Sequence, residues 1–95
     1  MDPIAEMFKK LTEASGVPGY EGDVRRVIRE YLEDITTIEV DKLGSIICRK
    51  GGTCESPKIM LAGHMDEIGF MVKYITDEGF IKFSTLGGWW SHVLL

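Results

Sequence analysis

Residues Ile59 to Gly69 read IMLAGHMDEIG, an apolar run that ends at a histidine followed closely by two carboxylates. A short apolar run of this kind is typical of a strand that is covered on both faces. We therefore expect a buried strand over Lys58–Gly63. Functional side chains in open α/β sheets gather beyond the carboxyl ends of such strands. The stretch thus predicts both an α/β fold and the place of a site.

His64 and Asp66 stand two residues apart at the end of this expected strand. In an extended chain, residues i and i+2 project to the same side, so these two side chains point together while Met65 points away. An imidazole beside a carboxylate suits a metal ion, because the carboxylate fixes the ring tautomer and raises its basicity as a ligand. On spacing alone, a hydrogen-bonded structural histidine is the commoner explanation. One ligand also makes no site, because a hydrolytic metal needs several protein ligands.

Two amphipathic helices are predicted before the apolar run. Asp2-Pro3 is a favourable helix start, because Asp caps free amides and proline is tolerated in the first turn. Apolar residues at helical spacing follow as far as Leu11, and Gly16 and Pro18 end the helix. The second helix has a charged face, which we interpret as solvated, and an apolar stripe made of Val24, Val27, Ile28, Tyr31 and Leu32.

After the second helix, β-branched residues alternate with turn formers, which predicts strands joined by tight turns. Two hairpins are expected, one before and one after the apolar run. Their strands are Ile35–Val40 with Ser45–Arg49, and Phe70–Ile75 with Phe80–Thr85. Helices followed by mixed strands predict an incomplete α/β pattern.

The composition excludes several classes of protein. The 95 residues carry a net charge of −4, which argues against nucleic acid as a partner, since binding it needs a basic surface. No window approaches the length of an apolar membrane span, and the first residues lack a secretory pattern, so we expect a cytoplasmic protein. Cys48 and Cys54 are expected to be plain thiols. The final residues, Trp89–Leu95, are strongly apolar, and we expect the C-terminus to be a cut rather than a natural end.

Three further stretches carry a resemblance to a known family. LAGHMDEIGFMV, followed by LGGWW, resembles the tetrahedral-type (TET) metallo-aminopeptidases, which are related to glutamyl aminopeptidases and FrvX-like proteins and are sometimes labelled endoglucanases. FKKLTEASGVPGYEGDVRRVIREYL resembles the family's first helix, loop and second helix. DKLGSIICRKG resembles its Asp-x-x-Gly-Asn hairpin, although Ser45 stands where Asn is usual. The similarity covers nearly the whole chain and about the first quarter of a family member.

The resemblance implies a dinuclear metal-dependent aminopeptidase that acts on peptide substrates. Residues 1–67 would be the N-terminal part of its mixed-sheet α/β catalytic domain, and residues 68–95 the start of an inserted small β-rich dimerisation domain. His64 would bind one of two divalent metal ions, zinc or cobalt, and Asp66 would be its catalytic supporting carboxylate. The other ligands and the general base would lie beyond residue 95, so the isolated chain is expected to be inactive. The family forms homo-oligomers, dimers that often assemble into a dodecamer.

Two other hypotheses stay open at this point. The chain could be a non-catalytic remnant of a truncated gene, or a small interaction domain, since it lacks most of a metal site. A glycoside hydrolase is less favoured, because the carboxylates available for it, Asp66 and Glu67, are adjacent and would face opposite sides of an extended chain.

Overall fold

The computed structural model describes residues 2–94, and within them the two helices and the two hairpins that the sequence predicts are present. The paired strands are antiparallel within each hairpin. The elements in chain order are α1 (Pro3–Glu13), α2 (Gly22–Leu32), β1 (Thr37–Val40), β2 (Ile46–Arg49), β3 (Gly69–Ile75), β4 (Ile81–Leu86) and a short 3-10 turn (Ser91–Val93).

Helix α1 begins as the sequence predicts, because the Asp2 carboxylate accepts a hydrogen bond of 2.9 Å from the Ile4 amide. Its C-terminal half packs on α2, where Val24 and Val27 are only 5% and 4% exposed. At the edge of this contact, Lys10 Nζ lies 2.6 Å from Glu30 Oε1. The small core of the described residues therefore lies on one face of α2.

Each hairpin closes through a turn that the side chains help to define. In the first hairpin, Asp41 accepts hydrogen bonds from the amides of Leu43 and Ser45, and Gly44 adopts a φ of +91° that favours glycine. The second hairpin has an irregular register between Val72 and Tyr74. In chain order, the two hairpins lie before and after the apolar run.

The prediction of a buried strand over Lys58–Gly63 is wrong for the residues that the structure describes. Ile59, Met60 and Leu61 are 83%, 87% and 94% exposed, and their segment pairs with no described strand. A strand forms only where a neighbour supplies hydrogen bonds, and both sheets here have two strands that pair with each other. The apolar sequence therefore identifies a segment suited to burial, but no described neighbour covers it.

The shape of the chain agrees with this low burial. Its radius of gyration is 17.9 Å, whereas a compact domain of this length has one of about 12 Å. Large apolar side chains of the second hairpin are also exposed, among them Tyr74 and Ile75. Among residues 2–94, no helix combines the length and hydropathy that crossing a lipid bilayer requires.

Candidate metal-ligating site

The structure brings His64 and Asp66 into direct contact. The Nδ1 atom of His64 lies 3.0 Å from Asp66 Oδ1 and 3.1 Å from the Asp66 backbone carbonyl oxygen. A carboxylate and a carbonyl oxygen are both acceptors, so Nδ1 must be the donor and carry the ring proton. In the neutral ring, the lone pair then lies on Nε2. The His64 side chain is 85% exposed, which leaves this nitrogen free to bind a metal ion.

The backbone around His64 is fixed by the loop between the two helices. The Glu67 amide donates a hydrogen bond of 2.7 Å to the carbonyl oxygen of Gly16. A Cβ at Gly16 would lie 2.7 Å from Val24 Cγ2 and 3.2 Å from the Met65 carbonyl oxygen, so only glycine permits this approach. The segment that carries His64 is therefore held against the loop before α2 by a backbone hydrogen bond.

Gly69, at the start of β3, makes the second close approach of this kind. A side chain there would clash with the isopropyl group of Val17. Val17 belongs to the same loop as Gly16, so this loop touches the chain on both sides of Asp66. The loop thus contacts both ends of the segment from Met65 to Gly69.

Two depressions share His64, Met65 and Asp66 as part of their walls. The first has a volume of about 480 Å³ and lies between the His64 segment and the turn of the first hairpin, with Glu21 contributing a carboxylate to its lining. The second, of about 510 Å³, is lined mainly by apolar groups of the two helices, among them Phe8, Leu11, Val24 and Ile28. Because the ring of His64 borders both depressions, a ligand in either one could reach it.

The described residues bring no third metal ligand to His64 and Asp66. Within residues 2–94, no three His, Cys, Asp or Glu side chains come together in a way that could hold a metal ion. Cys48 and Cys54 are both free, and His92 packs edge-on against Trp90 at 5.4 Å between ring centroids. The described residues therefore fit a single ligand and its supporting carboxylate, a partial donor set for a catalytic metal.

Sequence reasoning missed the contribution of the first helix–helix loop and of α2. Helical spacing places Arg25 on the charged face of α2 that the sequence predicts to be solvated, yet it donates a hydrogen bond of 3.0 Å to the Gly44 carbonyl oxygen. Glu21 was not singled out, yet its carboxylate lines the first depression. The signal available in the sequence was the Gly-rich loop Gly16–Tyr20, whose glycines permit such close packing.

Comparison with known proteins gives a consistent result along the chain. The family model described as M42 glutamyl aminopeptidase matches residues 44–95, and one described as AMPT matches residues 2–28. The FrvX protein of Escherichia coli (strain K12) is 45% identical over 91 residues, which are 95% of this chain and 25% of that relative.

Solved structures are similar in fold as well as in sequence. The TET aminopeptidase from the marine sediment archaeon Thaumarchaeota archaeon SCGC AB-539-E09 superposes with a TM-score of 0.88 at 46% identity, over 99% of this chain and 26% of that one. The Pyrococcus horikoshii TET1 peptidase, which can assemble into a tetrahedron or a large octahedral shell, gives a TM-score of 0.74 at 38% identity, over 90% of this chain and 25% of that one. These matches confirm the α/β class and cover the N-terminal portion of those structures. The chain spans about a quarter of the length of the relatives it matches.

Proposed function

Because the chain belongs to the M42 glutamyl aminopeptidase family, we propose that it supplies the His64–Asp66 corner of a metal-dependent active site that removes residues from the amino termini of peptides. The observation that carries the proposal is the contact of His64 Nδ1 with two oxygens of Asp66, at 3.0 and 3.1 Å. This contact fixes the tautomer in which Nε2 is available as a ligand, the arrangement that carboxylate-supported metal histidines use.

In this proposal, the complete site holds two divalent metal ions, zinc or cobalt. When bound, such ions polarise a peptide carbonyl and lower the pKa of a bound water, which is the chemistry that peptide hydrolysis requires. His64 would hold one ion through Nε2. Asp66 would keep the ring oriented and, through its negative charge, would favour a cation at that nitrogen.

The loop between α1 and α2 gives the corner its rigidity. Gly16 of this loop accepts a hydrogen bond of 2.7 Å from the Glu67 amide. Glu67 is only three residues from His64. A ligand fixed in this way loses little freedom when it binds a metal ion, which favours binding. The two depressions beside His64 leave room for a peptide and for the remaining ligands.

The wider organisation also belongs to the proposal. Residues 1–67 would form part of a catalytic domain, and residues 68–95 the start of a β-rich domain that contributes to homo-oligomers. Support for oligomers comes from the TET1 peptidase of P. horikoshii, which assembles into closed shells, and from the exposed apolar side chains of β3 and β4. A cytoplasmic location stays a prediction.

The experiment uses a chimera in which this chain replaces the matching N-terminal quarter of the archaeal TET aminopeptidase, which is 46% identical to it. The chimera should release amino-terminal residues from peptide amides, lose this activity on chelation and regain it with Zn²⁺ or Co²⁺. His64→Ala should abolish the activity, whereas the matched control His92→Ala should retain it. Equal activity of the two variants would contradict the proposal. If the chimera instead hydrolysed a polysaccharide and kept this activity after chelation, a glycosidase would be favoured.

The 95-residue chain alone should release no amino acids under the same conditions. The reason is that residues 2–94 contain no group of three side chains able to hold a metal ion. Metal-dependent hydrolysis by the chain alone would show that the site needs fewer ligands than we propose.

A further inference from the structure

The first depression has two walls that belong to different parts of the chain. One wall is formed by residues 43–46 of the hairpin turn (residues 41–46), and the other by the histidine segment, residues 63–66. Sixteen residues of chain, 47–62, lie between the two walls, and most of them have no regular structure. The width of the depression must therefore be set by contacts to a third element, and both walls contact α2 or the loop before it.

Arg25 of α2 provides the contact to the hairpin turn. Its Nη1 atom donates a hydrogen bond of 3.0 Å to the Gly44 carbonyl oxygen. The same atom lies 3.8 Å from Glu21 Oε2, one helical turn earlier. Both side chains are largely withdrawn from solvent, with 27% of Arg25 and 16% of Glu21 exposed. Solvent screens a partly buried ion pair less than an exposed one. The attraction between Arg25 and Glu21 is therefore stronger than that of the surface pairs elsewhere on the helix.

Glu21 connects the same pair to the loop before α2. Its Oε1 atom accepts a hydrogen bond of 2.8 Å from the Gly19 amide. That loop also contains Gly16, whose carbonyl oxygen binds the Glu67 amide next to the histidine segment. Polar contacts through Arg25 and Glu21, together with the loop backbone from Gly16 to Gly19, thus connect one wall of the depression to the other.

Two features of the hairpin turn favour its contact with Arg25. Asp41 Oδ1 accepts hydrogen bonds of 2.9 and 2.8 Å from the amides of Leu43 and Ser45, so the turn moves as a unit. Gly44 has a φ of +91°, and a Cβ there would lie 3.0 Å from Arg25 Nη1. Glycine at this position therefore permits both the positive φ of the turn and the close approach of the guanidinium group.

We propose that Arg25, oriented by Glu21, is a positioning residue that sets the distance between the hairpin turn and His64. In the enzyme proposed above, this distance determines the width of the depression through which a peptide reaches the histidine. The role of this distance in peptide access rests on the proposed function, whereas the distance itself can be measured without it. The neighbouring Arg26 has no such role, because it is 70% exposed and lies 3.5 Å from Asp23 on its own helix.

The test measures the distance across the depression by paramagnetic relaxation enhancement in the 95-residue chain. A nitroxide is attached at Leu43→Cys, a side chain that is 92% exposed, with Cys48 and Cys54 replaced by serine. The amide signals of the histidine segment are then compared with and without Arg25→Gln, and Arg26→Gln is the matched control. Both variants remove one positive charge from α2. Arg25→Gln loses the contacts to Gly44 and Glu21, whereas Arg26→Gln loses only the exposed pair with Asp23.

We expect the enhancement at His64 and Asp66 to fall severalfold in Arg25→Gln, because the effect decreases with the sixth power of the distance. Arg26→Gln should keep the original value, and the amide shifts of α1 should be the same in both variants. An enhancement in Arg25→Gln equal to that in the control overturns the proposal. No metal ion or activity is involved, so a failed aminopeptidase assay and a failed distance measurement are separate results.

A second measurement decides the matter if Arg25→Gln unfolds. In the chain without that substitution, the guanidinium protons of Arg25 should exchange slowly with water and give nuclear Overhauser contacts to the hairpin turn. The guanidinium protons of Arg26 should exchange rapidly with water and give a single averaged signal. If the guanidinium protons of Arg25 average as rapidly as those of Arg26, the contact does not persist and the proposal is wrong.

Discussion

Asp66 supplies two hydrogen-bond acceptors to Nδ1 of His64: its carboxylate oxygen, at 3.0 Å, and its backbone carbonyl oxygen, at 3.1 Å. Because both partners of Nδ1 are acceptors, we assign Nδ1 as the donor that carries the proton. The contact links residues i and i+2, so it depends on the backbone between them and not on a distant element. The orientation of the His64 ring is therefore encoded within three residues.

Replacing Asp66 by Asn should release this control of the tautomer. The amide group has the shape of the carboxylate, but it lacks the charge and can present a donor to Nδ1. We expect metal affinity or activity of the chimera to fall by about 10 to 100-fold, the usual cost of losing a carboxylate that supports a metal histidine. The ¹⁵N shifts of His64 report the tautomer directly. Asp77→Asn, in the turn of the second hairpin, is the control and should change neither quantity.

The local part of this site could be predicted from the sequence, and the rest could not. The projection of His64 and Asp66 to one side follows from the period of an extended chain. The contacts of Gly16 with Glu67 and of Val17 with Gly69 join positions tens of residues apart, and no local period encodes them. The same holds for Arg25, whose helical spacing placed it on a solvated face although a hairpin turn covers it.

The strand prediction over Lys58–Gly63 failed for a related reason. Apolar side chains indicate that a segment is suited to burial between other elements, but strand formation needs a hydrogen-bonding neighbour. Each of the two hairpins satisfies its own pairing, because its strands are adjacent in sequence. Local pairing is therefore predictable from a turn signal, whereas the partner of an isolated apolar run is not.

Gly69→Ala should destabilise the contact between β3 and the helix–helix loop. The added methyl group would overlap with Val17, and overpacking of this kind costs about 1–3 kcal/mol. Chemical denaturation followed by tryptophan fluorescence measures the change, since Trp89 Nε1 donates to the Gly69 carbonyl oxygen.

Gly63→Ala is the matched control, because no atom lies within 4 Å of a Cβ built there. It should be close to neutral. The double variant Val17→Ala with Gly69→Ala should recover part of the loss by removing the overlapping group. A Gly69→Ala variant as stable as Gly63→Ala would show that the loop moves away without cost.

The hairpin turn should be sensitive to acid through Asp41. Hydrogen bonds from the Ser45 amide, with smaller contributions from Leu43 and Gly44, hold the pKa of Asp41 below its ordinary value of 3.8. The stabilisation is therefore fully present above that value and is lost as the pH falls through the lower pKa of the folded state. A carboxyl ¹³C titration should give a midpoint for Asp41 below 3.8.

Asp41→Asn separates the charge from the hydrogen bonds. Its side-chain oxygen can still accept from the two amides, so the turn should form but lose this pH dependence. Amide shifts of Leu43 and Ser45 that move equally with pH in both forms would show that Asp41 does not control the turn.

The exposed apolar run should make the isolated chain associate with itself. Ile59, Met60 and Leu61 are more than 80% exposed, and their segment pairs with no described strand, which is a template for pairing with another chain. Leu61→Lys should lower the association measured by sedimentation velocity. Thr53→Lys adds the same charge in an exposed loop and should have a smaller effect. A single monomer boundary for the unsubstituted chain would refute this prediction.

The most direct test of the central claim is the metal content of the chimera after gel filtration, measured by elemental analysis. We predict two equivalents of Zn²⁺ or Co²⁺ per active site in the chimera and in its His92→Ala control. His64→Ala should lose one equivalent together with the aminopeptidase activity, because Nε2 of His64 is then no longer available to one of the two ions. A His64→Ala chimera that retains the full metal content and activity of the control would contradict the assignment of His64 as a ligand.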